Sequence, residues 1–224
     1  MGPSNFNRRR HLLFAIAALG HGPLLVYVQR GPTATSEALA QTTALCYVAL
    51  LAWLAFDRLD TKSGVTLLPA RAKMLAPLFL AWLGWSVIEL SAVSAAPLAD
   101  IVTLNRWLNG PYVDFGLAHP TLDLGWLILT MAAAGLAEEL VYRGFLLRAL
   151  EGYWDPRVAL VAQALVFEAV HLVVYDAGYS GAWRLVSGLL YGVAFQQTRS
   201  VAVPAFMHAA SNVLLSVAFW ALAG

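Results

Sequence analysis

Apolar positions in this chain come in long continuous runs, and most polar residues are gathered between them. There is no ten-residue alternation of the kind that marks outer-membrane strands. Such runs predict membrane-spanning helices. Seven can be drawn: His11–Gln29, Glu37–Phe56, Met74–Ala96, Leu122–Leu147, Val158–Tyr175, Trp183–Phe195 and Val201–Leu222. His21-Gly22-Pro23 predicts a kink in the first. Asp100–Pro120 reads as an amphipathic or re-entrant connection, with Trp107, Tyr112 and Phe115 suited to an interfacial belt, and is the source of an eighth span if there is one. Asp176–Gly181 reads as a turn.

Charge then orients the runs. With the amino end inside, the inner side holds Arg8, Arg9, Arg10, Arg58, Lys62, Arg71, Lys73, Arg143, Arg148, Arg157 and Arg199, and the outer side holds Arg30, Arg106 and Arg184. That is 11 of the 14 basic residues inside, as the positive-inside rule asks. Arg8-Arg9-Arg10 before an apolar run also fits a signal peptide, but the later spans favour a retained first helix.

Composition narrows the class. Sixty per cent of the 224 residues are hydrophobic, 12% are charged and mean hydropathy is +0.67. Soluble domains average about 25% charged residues. The expected fold is therefore all-α, a polytopic transmembrane bundle forming one integral membrane domain over 1–224. The net charge of +1 gives no basis for nucleic-acid binding. Cys46, the single cysteine, offers neither a disulfide frame nor a cysteine metal site and reads as packing.

Against this background Ala137-Glu138-Glu139-Leu140-Val141-Tyr142-Arg143 stands out, because it sets three ionisable groups inside an apolar run. Each costs about 2.5–3.5 kcal/mol near a helix centre, so such groups face a protein interior or a wet cavity. Glu139 and Arg143, four apart with the acid first, are spaced to pair on one face. Glu138 projects about 100° away and is left free. The bland alternative is a helix end with solvated charges. Three more polar groups share the pattern: His171, four after Phe167, and His208 with Asn212, four apart on one face. At about 1.5 Å per residue, Glu138, His171, His208 and Asn212 reach a common layer in the inner half of the bilayer. Each alone has an ordinary reading as an interhelical hydrogen-bond partner. Glu89 and Glu168 read as groups pairing within the bundle, and Arg184 as snorkelling. Ala132-Ala133-Ala134-Gly135 and the Gly188/Gly192 pair read as close helix contacts.

Glu138-Glu139-x-x-x-Arg143, Phe167-x-x-x-His171 and His208-x-x-x-Asn212, in that order, resemble the three motifs of the CAAX protease and bacteriocin-processing family. These are glutamate-type intramembrane endopeptidases related to the type II CAAX prenyl endopeptidases. The resemblance covers about Leu122–Leu222, which makes 121–224 the expected catalytic core and 1–120 accessory spans. It implies that Glu138 and His171 activate a water and that His208 and Asn212 stabilise the oxyanion. Glu139, Arg143 and Phe167 would support them. Glu168 departs from the pattern, standing where a small residue is expected, and would alter the cavity or reach toward His171.

Two other readings compete. Glu168-Ala-Val-His171 is a Glu-x-x-His, the element of di-iron bundles, but a second copy is lacking. A single zinc on His171, His208 and a glutamate is chemically reasonable, although the resemblance implies no cofactor. A non-catalytic immunity or scaffold protein is the other alternative. Two lysines against twelve arginines suggest a GC-rich bacterium and its inner membrane, hence a peptide or membrane-protein substrate rather than a prenylated one.

Overall fold

The computed structural model describes residues 72–95, 120–175 and 181–223. The predicted spans at 11–29 and 37–56, the 100–119 connection, Cys46 and most of the 176–181 turn lie outside them.

The described chain is helical. A 3-10 turn, Ala72–Met74, leads into α1, Leu75–Ala95. Pro77 is tolerated there because the first turn leaves its N–H groups unpaired anyway. Helix α2, Pro120–Glu139, opens on proline and passes without a break into a π segment, Leu140–Leu147, and then into the short α3, Arg148–Glu151. The sequence pattern predicts an ordinary α-helix through Leu147. The structure instead widens the turn directly after the paired glutamates, and every residue from Leu140 to Leu147 is buried. Wide turns of this kind are rare and often accompany functional sites.

Helix α4, Pro156–Tyr175, starts two residues ahead of its apolar run. The Asp155 carboxylate accepts the Arg157 N–H at 2.9 Å, and Pro156 supplies a preset φ for the first turn. Helix α5, Gly181–Thr198, ends at Arg199, whose φ of 54° is left-handed and stops the helix. Helix α6, Ala202–Ala223, follows at once. Among the described residues no helix is long and apolar enough to cross a membrane.

Small residues set how closely these helices approach. A methyl group placed on Gly135 of α2 would lie 2.7 Å from the backbone N of Ala209 in α6, so only glycine lets the two backbones meet there. Gly188 of α5 faces Phe167 and Ala164 of α4, and Gly192 faces Leu160 and Gln163. One core joins the π segment to Ala159, Phe167, Phe195 and Val201. A second joins Leu78 and Trp82 of α1 to Tyr191, Ala194 and Met207. Phe167 of the motif residues belongs to the first of these cores.

Candidate active site

The end of α2 presents two carboxylates that go different ways. Glu139 is fully buried, and its Oε1 receives Arg143 Nη1 at 2.6 Å. The second nitrogen of that guanidinium, Nη2, donates to the Gly188 carbonyl at 2.9 Å. Aromatic rings enclose the cation: Phe167 at 4.8 Å, Tyr191 at 5.5 Å and Tyr142 at 5.9 Å. The same Glu139 Oε1 accepts from His208 Nδ1 at 2.8 Å. Glu139 therefore links the π segment to α6, a contact across 69 residues that spacing within one helix cannot reveal.

Glu138 lies on the other side. Its Oε2 is 3.4 Å from His171 Nε2 and 3.9 Å from His208 Nε2, and that buried oxygen has no well-formed hydrogen bond among the described residues. The histidine tautomers follow from what each ring meets elsewhere. A carbonyl only accepts, so His171 Nδ1–H donates to Phe167 O at 2.7 Å. In the neutral ring Nε2 then presents a lone pair toward Glu138. His208 donates its Nδ1–H to a carboxylate already held by an arginine, so its Nε2 carries a proton only when the ring is doubly protonated. Phe167 lies against both imidazoles, with ring centroids 4.3 Å from His171 and 6.0 Å from His208.

The structure thus brings Glu138, Glu139, Arg143, Phe167, His171 and His208 together. Asn212 sits one turn beyond His208, partly buried, with its amide nitrogen 3.5 Å from the Met131 carbonyl, a long contact that leaves it adjustable. Glu168 is buried on α4, and neither carboxylate oxygen has a hydrogen-bond partner among the described residues. Glu89 accepts from Ser187 at 3.2 Å, and the Trp85 indole donates to the same hydroxyl at 2.9 Å. Glu89 therefore pairs with α5 rather than with Glu168. Sequence reasoning missed Tyr191, whose ring stacks on His208 at 4.9 Å and 22°. A tyrosine in an apolar run carries no signal that separates this role from core packing.

What the arrangement can do is polarise a small molecule. Glu138 Oε2 and His171 Nε2 lie 3.4 Å apart, and His208, held by Glu139, brings its Nε2 within 3.9 Å of the same Glu138 oxygen. Among the described residues no group of three or more His, Cys, Asp and Glu side chains is arranged to hold a metal ion.

Neither a curated protein nor a solved structure matches the chain. A family does: residues 120–214 match the type II CAAX prenyl endopeptidase Rce1-like family, whose members are integral membrane proteins. That stretch runs from the first residue of α2 past Asn212, and over it the chain is similar to the CAAX protease family.

Proposed function

We propose that the protein is an intramembrane endopeptidase of the glutamic type. The observation that carries this is the close approach of Glu138 Oε2 and His171 Nε2, 3.4 Å apart. A water donating one hydrogen to each of these atoms is held and activated there. As the water oxygen attacks the scissile carbonyl carbon, one of its protons passes to Glu138 and the other stays hydrogen-bonded to His171. The carbonyl oxygen becomes an oxyanion, which takes Nε2–H from a doubly protonated His208 and N–H from Asn212. Glu138 then delivers its proton to the departing amine, the C–N bond breaks and a carboxylic acid is left. Glu139 makes the doubly protonated ring tenable by placing a carboxylate on its other nitrogen. With Glu138 and Glu139 negative and Arg143 and His208 positive, the buried cluster is neutral.

We further propose seven spans with the amino end inside, residues 121–224 as the catalytic core and 1–120 as accessory helices. The location that goes with this is a bacterial inner membrane, and the substrate is a peptide or membrane protein cut within or beside the bilayer. No nucleic acid and no cofactor enter the reaction. Cleavage that a chelator abolishes and zinc restores would replace this water with a metal-bound one.

The test is a proteomic comparison of membranes carrying the wild-type protein and Glu138→Gln, followed by purified protein acting on the peptides that differ. Glu138→Gln and His171→Ala should abolish cleavage. Asn212→Ala should leave a remnant, since losing one oxyanion donor costs about 10²–10³ in kcat. Equal activity in all three would refute the assignment. A biological effect that survives Glu138→Gln at normal expression would point to a scaffold or immunity role instead.

A further inference from the structure

We infer that Trp82, in α1 and outside the family-matched residues, is a positioning residue that sets the plane of the His208 imidazole through Ser211 and Tyr191. The inference rests on His208 serving as oxyanion donor. An N–H stabilises an oxyanion only when it lies about 2.7–3.1 Å from where the charge develops, so the direction of Nε2 matters. The hydrogen bond from Nδ1 to Glu139 fixes one point of the ring and leaves its tilt open. Tyr191 covers the ring face nearly parallel and closes that freedom.

Tyr191 is anchored in turn. Its hydroxyl donates to Ser211 Oγ at 3.0 Å, and Ser211 sits three residues beyond His208 on α6. The Trp82 indole donates to the same oxygen at 2.8 Å. All three side chains are buried, so water does not substitute for a lost partner. Without the indole N–H, the Ser211 hydroxyl is free to rotate toward its own helix backbone, as serine in a helix tends to do. The phenol then loses a fixed acceptor and the stack on His208 loosens.

The plainer reading makes Trp82 a core residue beside Leu78 and Met207 whose N–H takes the nearest hydroxyl. Trp82→Phe separates the two, because it keeps an aromatic ring and removes the donor. In the full-length protein, Trp82→Phe and Tyr191→Phe should each lower kcat about tenfold with KM within about twofold, the size of effect that small misplacement produces. The double variant should be no slower than the slower single one, since both act through one linkage. Ring nitrogen NMR of His208 provides a readout that needs no substrate. The wild type should show one set of His208 ring signals, with Nδ1–H hydrogen-bonded to Glu139, and both variants more than one set. Trp85→Phe removes the other α1 indole donor and should leave kcat and the His208 signals unchanged. The inference is overturned if the Trp82 and Trp85 variants behave alike, or if the His208 signals stay fixed in Trp82→Phe. Should Glu138→Gln cleave like the wild type, the catalytic reading fails, while the NMR comparison still decides whether Trp82 orients the ring.

Discussion

Arg143 meets Glu139 at 2.6 Å in the middle of the bundle, and Arg199 meets Glu151 at 2.6 Å on its rim. The two ion pairs have the same length and different physics. The rim pair ties the end of α3 to the link between α5 and α6, with Gln196 donating to the other Glu151 oxygen, and the Arg199 side chain is 44% exposed. Water and salt screen it. The inner pair is 0% exposed on both sides, so both charges lost their hydration when the chain folded. Gly188, His208 and three rings replace part of it, yet Arg143 Nε and Glu139 Oε2 have no hydrogen bond among the described residues. A buried pair of this kind contributes little net stability and is costly to break. It earns its place by what it holds, which is the Nδ1 side of His208.

Removing the inner cation gives the largest expected effect. Arg143→Met leaves the buried Glu139 carboxylate with His208 as its one remaining partner among the described residues, at a cost of about 3–5 kcal/mol. Unfolding of the purified protein measures this. The charge-free double variant Arg143→Met/Glu139→Gln should recover most of the loss while remaining inactive. If single and double variants unfold alike, burial is not what separates the two pairs. Next comes the approach that brings His208 to Glu139. Gly135→Ala puts a methyl group against the α6 backbone and should cost about 1–3 kcal/mol, with reduced cleavage as His208 shifts. Gly84→Ala, which meets nothing within 4 Å, is its control and should be neutral or slightly stabilising. The smallest effect belongs to the rim: Arg199→Ala should cost about 0.2–1 kcal/mol and less in high salt. A larger loss there, insensitive to salt, would contradict the comparison.

How much of this could be read beforehand differs between fold and site. Each described helix lies within a few residues of an apolar run, because length and continuity of such runs are local properties. The exceptions are local too: α4 begins early on its Asp155-Pro156 cap, and α5 runs on to Thr198, where Arg199 adopts the left-handed turn. The π segment was not legible, since Leu140–Leu147 has the composition of any buried helix. Glu138, Glu139, Arg143, His171 and His208 were visible as costly groups in apolar surroundings. Glu89 was visible in the same way, but its partner Ser187 was not. Trp82, Tyr191 and Ser211 were invisible, because indoles, phenols and hydroxyls are ordinary in such helices and only their partners distinguish them.

Helical class, the approximate extent of each described helix and the Glu139–Arg143 pair were settled by the order of residues alone, since each depends on neighbours within a few positions. Which carboxylate His208 takes, which nitrogen it turns toward Glu138, and the reach of α1 to Ser211 were decided by tertiary packing. Those contacts join residues from 69 to 129 positions apart, such as His208 with Glu139 and Trp82 with Ser211. They exist only because small residues such as Gly135 let the helix backbones come close enough for the side chains to meet.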